Sequence, residues 1–147
     1  MFSIRPMGPS DVSRVVRIEK EEGAFDPWCE KDFDRALSNS KKTSLVVCDA
    51  KSGEVIGHLV AVRGPNKMSI LNVLVQKSYR RRGLGRLLML KAIEIANGRL
   101  VSAMVDERNI QAAVFFRALK FRCRLERNFF ESPPADAYCF ERGGEGI

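Results

Sequence analysis

Histidine, tryptophan and tyrosine are scarce in this chain, which has one, one and two of them among its 147 residues. The single histidine, His58, cannot by itself supply the several converging ligands of a zinc site. The four cysteines are too far apart in sequence for a CxxC motif, a spacing that metal and redox sites commonly use. We therefore expect no bound metal and four reduced, buried thiols, which are typical of a cytoplasmic protein.

Long apolar runs are also absent. No stretch approaches the roughly 18 apolar residues of a membrane-spanning helix, and the N-terminal MFSIRPMGPSD lacks the basic and apolar regions of a signal peptide. Hydrophobic residues make up 45% and charged residues 29% of the chain, which is typical of a globular protein and excludes a disordered or collagen-like one. We expect one domain over residues 1–142, a frayed tail over 143–147 and no membrane partner.

The net charge of +7 is unevenly distributed. Residues 77–127 carry 13 basic and 4 acidic side chains, whereas residues 128–147 carry 1 basic and 4 acidic ones. Such a basic block suggests a polyanionic partner, either a nucleic acid, an anionic membrane or a multiply phosphorylated cofactor. The phenylalanines of this block have core-like helical spacing and do not alternate with arginines, so we do not expect nucleic acid as the partner.

An acidic segment opposes the basic block. Seven carboxylates lie between Glu19 and Asp34, against two lysines. Two interpretations remain open: a solvated helix face, or a surface that attracts a cationic substrate.

Hydrophobic periodicity predicts seven strands and four helices in the order β α α β β β α β α β β. This mixed order is typical of an α+β or α/β fold with a central sheet. The predicted helices cover about 9–22, 30–39, 83–97 and 109–119, and the predicted strands cover 2–6, 43–49, 55–64, 68–76, 100–105, 122–130 and 137–142.

The most informative stretch is SILNVLVQKSYRRRGLGRLLMLKAIE, where a strand enters a glycine-containing loop that opens directly into a helix. Gly83 and Gly85 lack a Cβ, so a ligand can approach their backbone closely. The first N–H groups of the helix have no intrahelical partner, and the helix dipole favours an anion there. The stretch is neither a GxxxxGK[ST] P-loop nor a GxGxxG loop, and a structural turn with solvated arginines is the alternative. Four cations surround this candidate phosphate site: Arg80, Arg81, Arg82 and Arg86.

The motif RRRGLG at residues 80–85 resembles the Q/R-x-x-G-x-G/A motif of the GNAT N-acetyltransferases. The preceding ILNVLV resembles the splayed strand of that family, and FFRALKF at 115–121 resembles its L-Y-x-x-x-G-F segment. The resemblance implies an α/β GNAT fold, with a mixed, mostly antiparallel seven-stranded sheet, helices on both faces and a splayed strand pair that binds acetyl-CoA. The cofactor-binding residues it implies are Val73, Leu74, Val75, Arg80, Arg81, Arg82, Gly83, Leu84, Gly85, Arg86, Asn109 and Phe116.

Two further segments are most similar to the RimI-like protein N-terminal acetyltransferases. FDPWCE at 25–30 resembles their F-P-W-S-E segment, and RNFF at 127–130 resembles their R-N-Y-Y motif. The similarity implies that Phe25, Trp28, Phe129 and Phe130 face a peptide substrate. It also implies an acceptor that is a peptide or protein N-terminus, with ribosomal proteins among the candidates.

The proton-transfer residues of the family are replaced in this chain. The position that resembles the family's tyrosine acid is Phe116, and the position that resembles its glutamate base is Met104. Neither side chain can transfer a proton, so Asp106, two residues along the same strand, is the candidate base. Pairing with Arg108 or capping of the next helix is the alternative role for Asp106. Glu107 and Glu22, acting through water, are further candidates.

We therefore expect an N-acetyltransferase that moves an acetyl group to an α-amine by direct attack in a ternary complex, with Asp106 and Phe116 at the catalytic position. A small-amine acetyltransferase and a coenzyme A-binding protein without turnover remain open as alternatives. The expected assembly is a monomer or a weak homodimer.

Overall fold

The computed structural model describes residues 1–131 and 134–143, and it contains the eleven elements in the predicted order. Short 3-10 turns precede the first and third helices, at Pro9–Asp11 and Lys77–Tyr79. In chain order the elements are β1 Phe2–Pro6, α1 Val12–Glu21, α2 Glu30–Leu37, β2 Lys42–Asp49, β3 Val55–Arg63, β4 Lys67–Val75, α3 Leu84–Ala96, β5 Leu100–Asp106, α4 Ile110–Ala118, β6 Arg122–Glu131 and β7 Pro134–Arg142.

The strands form one seven-stranded sheet in the order β1-β2-β3-β4-β5-β7-β6. The β4–β5 pair is parallel and the other described pairs are antiparallel. This is the mixed, mostly antiparallel sheet that the family resemblance implies, so the predicted fold class is confirmed. Because the parallel pair needs a crossover connection, helix α3 joins β4 to β5 across one face of the sheet.

Strands β4 and β5 separate halfway along their length. They pair from Lys67 to Ile70 of β4, and beyond Ala103 the β5 residues pair with β7 alone. The separation starts at a bulge, because Ile70 and Asn72 pair with consecutive residues of β3 and Leu71 is extra. A bulge bends and twists the strand that carries it, so β4 turns away from β5 and leaves its edge open from Leu71 to Val75.

Helices cover both faces of the sheet. Helices α3 and α4 pack on one face, whose core includes Leu88, Phe116 and Phe140. Helices α1 and α2 pack on the other face, whose core includes Ile18 and Phe33. The opening between β4 and β5 runs through the sheet from one face to the other. Each pair of helices therefore borders it from its own face and can contribute to a site there.

Some predictions about local structure need correction. Cys48 and Cys139 are buried free thiols, and burial raises the pKa of the Cys139 thiol. Cys29 and Cys123 are also free, but they are exposed, because they lie in the α1–α2 loop and on the edge strand β6. Of the predicted frayed tail, residues 144–147 lie outside the described residues.

The first helix begins later than predicted, because Asp11 belongs to the turn that precedes the helix. Its carboxylate accepts the backbone N–H of Gly8 at 2.8 Å and pairs with the Arg5 guanidinium at 2.8 Å. These bonds hold the pKa of Asp11 below its ordinary value, with the Arg5 hydrogen bonds as the main cause. Strand β1 is thereby tied to the start of α1.

Candidate functional site

The N-terminus of helix α3 lies beside the open part of β4. Gly83 precedes the helix with φ 73°, a left-handed conformation that glycine adopts without strain. The first helical bond runs from the Leu87 N–H to the Gly83 carbonyl at 2.9 Å, and no side chain among the described residues caps the helix. The N–H groups of Leu84, Gly85 and Arg86 therefore remain as donors for a ligand.

The two glycines of the loop have different roles. A Cβ on Gly83 would have no atom of the described part of the chain within 4 Å, so the loop surface there is open to a phosphate. A Cβ on Gly85 would lie 2.8 Å from Cε1 of Phe115. Gly85 is thus required where α3 and α4 come together, whereas the sequence had suggested only close approach of a ligand. Position 115 lies 30 residues further on, so local sequence could not show this contact.

The arginines of the loop divide into one inward and three outward side chains. Arg80 donates from Nε to the Val75 carbonyl at 3.0 Å, and its Nη2 lies 3.7 Å from Glu22. Glu22 also accepts the Lys77 N–H at 2.7 Å, so its carboxylate anchors the loop and is not a free base. The Arg82 guanidinium lies over the Tyr79 ring at 5.4 Å. Three exposed cations remain for phosphate groups: Arg81, Arg82 and Arg86.

The side chains of the cofactor segment are mostly turned inward. Leu84 and Val75 are buried and Val73 packs against the α3 core, while Leu74 packs against the core of α1 and α2. The backbone groups of Val73, Leu74 and Val75 on the open edge of β4 are what a ligand could contact. Asn109 caps helix α4 by accepting the Ala112 N–H at 3.3 Å through Oδ1, which leaves its Nδ2 as a donor.

Asp106 is the last residue of β5 and is 8% exposed. Its carboxylate accepts from Arg108 Nε at 2.8 Å, Nη2 at 2.5 Å and the Arg108 backbone N–H at 2.9 Å. The side-chain bonds of Arg108 lower the pKa of Asp106 below its ordinary value. A carboxylate held in this way is a poor proton acceptor near neutral pH, so the structure argues against Asp106 as the base.

We expect Asp106→Asn to leave kcat within about threefold of wild type, with an unchanged profile between about pH 6 and 9, because the Asp106 carboxylate titrates well below that range. We expect Asp106→Asn to affect the free energy of unfolding more than it affects kcat, because the variant loses the ion pair with Arg108. The ion pair contributes above pH ~4 and is lost as the pH falls through the lowered pKa of Asp106. Steady-state kinetics across pH measure this, beside Glu107→Gln, which removes the exposed carboxylate that is a further candidate base. A kcat lowered about 100-fold in Asp106→Asn alone would make Asp106 the base after all.

Phe116 is a core residue. It is 3% exposed, and its ring stacks on Phe140 at a centroid distance of 5.7 Å. Phe115 and Phe121 pack against it at 5.1 Å and 5.3 Å. The expectation that Phe116 acts at the catalytic position is therefore not supported, because the ring has no transferable proton and is surrounded by other rings. Met104, the other replaced position, is half-buried on β5.

Aromatic side chains surround the α1–α2 side of the opening. Phe25 is 47% exposed, and the Arg108 guanidinium lies 5.8 Å from its ring centroid. Trp28 turns inward and packs on Phe33 at 5.1 Å. The α1–α2 loop is thus joined through Arg108 to the end of β5. Of the two predicted substrate residues in this loop, Phe25 is the more accessible.

Strands β6 and β7 reach the same end of β5. The Asn128 N–H bonds to the Asp136 carboxylate at 2.7 Å, and the Glu107 N–H bonds to the Asp136 carbonyl at 3.0 Å. Phe129 is 49% exposed and packs edge-on against the half-buried Phe130 at 5.0 Å. Phe25 therefore lies on the α1–α2 loop, and Phe129 and Phe130 lie on an irregular stretch of strand β6. Both segments are attached to the end of β5. We call these two segments the acceptor rim, residues 23–29 and 127–130.

Three polar residues under the acceptor rim were missed as site residues. Glu19 and His58 are buried side by side, with Glu19 Oε2 2.8 Å from His58 Nε2, and Asn72 donates to Glu19 Oε1 at 3.3 Å. His58 and Asn72 lie 39 and 53 residues from Glu19 in sequence, so no local sequence pattern could predict that the three residues are in contact. The acidic segment is thus not one open surface, since Glu19 is buried, Glu22 anchors the cofactor loop and Asp32 bonds to the Cys29 N–H.

Within the described residues, no group of three or more His, Cys, Asp or Glu side chains is arranged to hold a metal ion. No helix of that part of the chain has the length and apolar character needed to cross a membrane.

An open strand edge beside an arginine-lined helix N-terminus is a site that can hold a phosphate-bearing ligand against the sheet. The model of the acetyltransferase (GNAT) family matches residues 13–121. The chain belongs to this family and is an N-acetyltransferase whose cofactor is acetyl-CoA. The site fits that cofactor, because donors, cations and open space coincide above Gly83.

The sequence of this chain is similar to those of two mycobacterial proteins. The chain is 29% identical over 143 residues to N-alpha-acetyltransferase RimI of Mycobacterium tuberculosis, covering 90% of this chain and 87% of that protein. It spans 40% of the length of an uncharacterized Mycobacterium leprae protein to which it is 28% identical.

Solved structures show the same fold. The ribosomal-protein-S18-alanine N-acetyltransferase from Escherichia coli aligns with a TM-score of 0.82 at 22% identity, covering 100% of this chain and 96% of that one. Arabidopsis thaliana NAA60 in complex with acetyl-CoA also aligns with a TM-score of 0.82 at 22% identity, covering 99% and 100%.

Proposed function

We propose that this protein transfers the acetyl group of acetyl-CoA to the free α-amino group of a peptide or protein. The observation that carries the proposal is the acceptor rim. Phe25 on the α1–α2 loop and Phe129 on strand β6 remain about half exposed, and both segments are attached to the end of β5. Exposed aromatic rings at the mouth of an open cleft are suited to hold an extended peptide chain.

The cofactor supplies the thioester that is attacked, and the chain positions the two reactants. The amine nitrogen forms a bond to the acetyl carbonyl carbon, the carbon–sulfur bond breaks, and the amine proton leaves as the thiol is released. An α-amine with a pKa near 8 is partly neutral at pH ~7. Positioning contributes much of the rate in such reactions, and a backbone N–H on the open edge of β4 is available to stabilise the carbonyl oxygen.

We propose further that the acceptor is a protein N-terminus beginning with a small residue, with ribosomal proteins as the first candidates, in the cytoplasm. The names of similar proteins support this, because RimI of M. tuberculosis is named an N-alpha-acetyltransferase and the E. coli enzyme is named for an alanine of ribosomal protein S18.

The test follows thiol release from acetyl-CoA with peptides that begin with alanine or serine. Spermidine and an N-terminally blocked lysine peptide serve as competing acceptors. We expect release with the free N-termini alone, and a rate that rises with pH as the α-amine loses its proton, since neither Asp106 nor Glu22 is a free base. Release with spermidine instead would indicate a small-amine enzyme. Coenzyme A binding without release from any acceptor would contradict catalysis.

A further inference from the structure

Glu19 binds three separate parts of the fold through one buried carboxylate. Its Oε2 lies 2.8 Å from His58 Nε2 on β3, and its Oε1 accepts the Trp28 backbone N–H at 2.9 Å and Asn72 Nδ2 at 3.3 Å. Glu19 and His58 are 2% and 0% exposed. Both oxygens of the carboxylate are therefore used, away from water. We call Glu19, His58 and Asn72 the Glu19 cluster.

The partners of Glu19 are parts of the site itself. Trp28 belongs to the α1–α2 loop, which carries Phe25 of the acceptor rim. Asn72 lies immediately after the bulge, in the part of β4 that has left β5. His58 pairs with Leu74 of the same open segment. One carboxylate thus joins the loop that would hold the acceptor to the strand that would hold the thioester.

Stability alone does not account for such a cluster. Burying ions is costly, and buried ion pairs can often be replaced by apolar side chains without loss of stability. The surrounding core could accept an apolar replacement, since Ile18, Phe33 and Val60 pack around this face. What an apolar side chain could not supply is an acceptor for the Trp28 N–H and a fixed orientation for the Asn72 amide.

The Asn72 amide has only one orientation that satisfies Glu19. A carboxylate has no hydrogen to donate, so the Nδ2 end of Asn72 must face it. The carbonyl end, Oδ1, then has no hydrogen-bond partner in the part of the chain that the structure describes. Asn72 is half-buried on the open segment of β4, where an uncommitted oxygen is suited to accept a hydrogen bond from an incoming amine.

We propose that Glu19 is a positioning residue for the acceptor: it fixes the acceptor rim through Trp28 and leaves Asn72 Oδ1 to bind the acceptor amine, with His58 holding the second carboxylate oxygen. The proposal rests on the acetyl transfer to an amine proposed above. It assigns the recognition of the acceptor to a cluster that lies on the α1 face of the sheet, opposite the cofactor loop of α3.

The first test compares Glu19→Gln with Glu21→Gln, an exposed glutamate of the same helix. Glutamine keeps the size of Glu19 but has one acceptor oxygen and one NH2 donor, so the Asn72 amide no longer has a single orientation that satisfies residue 19. We expect the KM for the acceptor to rise about tenfold or more, while the KM for acetyl-CoA stays within about twofold and Glu21→Gln matches wild type. Equal rises in both KM values, or an unchanged acceptor KM, would overturn the proposal.

The second test is a double-mutant cycle of Glu19→Gln and Asn72→Leu. If Glu19 acts through Asn72, the effects of the two substitutions on the acceptor kcat/KM are non-additive. The double variant then has nearly the same kcat/KM as the less active of the two single variants. Additive effects would overturn the coupling. If Glu19→Gln fails to fold, an acceptor KM unchanged in Asn72→Leu would contradict the proposal by itself.

The outcomes separate this proposal from the proposed function. If the wild-type enzyme acetylates spermidine and no peptide, the peptide α-amine proposal fails, and the Glu19 comparison is then made on the spermidine KM. If the wild-type enzyme acetylates peptides but Glu19→Gln leaves their KM unchanged, the proposed function holds and the Glu19 proposal fails.

Discussion

Replacing Gly83 by alanine is expected to weaken coenzyme A binding by about tenfold or more, with a loss of roughly 1–2 kcal/mol in the free energy of unfolding. The first effect arises because the added methyl group enters the open space over which a phosphate must approach the α3 amides. The second arises because Gly83 has φ 73°. Calorimetric titration with coenzyme A and denaturant unfolding measure the two quantities.

Gly53→Ala is the matched control. Gly53 has φ 74° in the turn between β2 and β3, and a Cβ there would also have no atom within 4 Å. The backbone strain of the two variants is therefore nearly the same, but only Gly83 lies at the α3 N-terminus. We expect equal losses of stability and a normal coenzyme A affinity for Gly53→Ala. Equal affinities in the two variants would show that the phosphates bind elsewhere.

Phe116→Ala is expected to lower the free energy of unfolding by about 3–5 kcal/mol, because a buried ring is lost and a cavity remains. The ring contacts three other phenylalanines and is 3% exposed. Urea unfolding of this variant beside Phe129→Ala measures the difference. Phe129 is 49% exposed, so its removal should cost much less stability. Similar losses for the two variants would contradict the core position of Phe116.

The variant Phe116→Tyr tests whether position 116 takes part in catalysis. If Phe116 faced the reacting atoms, Phe116→Tyr would restore a proton donor and raise kcat. The structure predicts no gain and a stability loss of roughly 1–3 kcal/mol, because Phe116 is buried in the hydrophobic core and the new hydroxyl would be buried with it. An increase in kcat would place this ring at the thioester.

The cofactor-binding end of the site could be predicted from the sequence, because its residues are close together along the chain. The basic run, the two glycines and the following apolar helix are contiguous between Arg80 and Ala96, and helix N-termini bind anions through their own backbone. The order of strands and helices was also readable, because each element has its own hydrophobic period. These features depend on neighbours along the chain, so they needed no knowledge of the fold.

Contacts made in the folded chain, some of them between residues close in sequence, gave individual residues other roles than the predicted ones. Arg80 was expected among the outward cations, but it bonds to the Val75 carbonyl. Gly85 was expected to admit a ligand, but it makes room for Phe115. Asp106 was expected as a base, but Arg108 holds it. In each case the residue type allowed two roles, and the partner that decides between them is set by packing.

The sequence by itself determined the family, the cofactor loop and the order of the elements, since these follow from contiguous motifs and periodicity. The tertiary structure alone decided how far β4 separates from β5, and it alone brought Glu19, His58 and Asn72 together under the acceptor rim. The reason is that the separation depends on one extra residue in the register of β4 against β3, and the cluster depends on three elements that meet only when the sheet and helix α1 have packed.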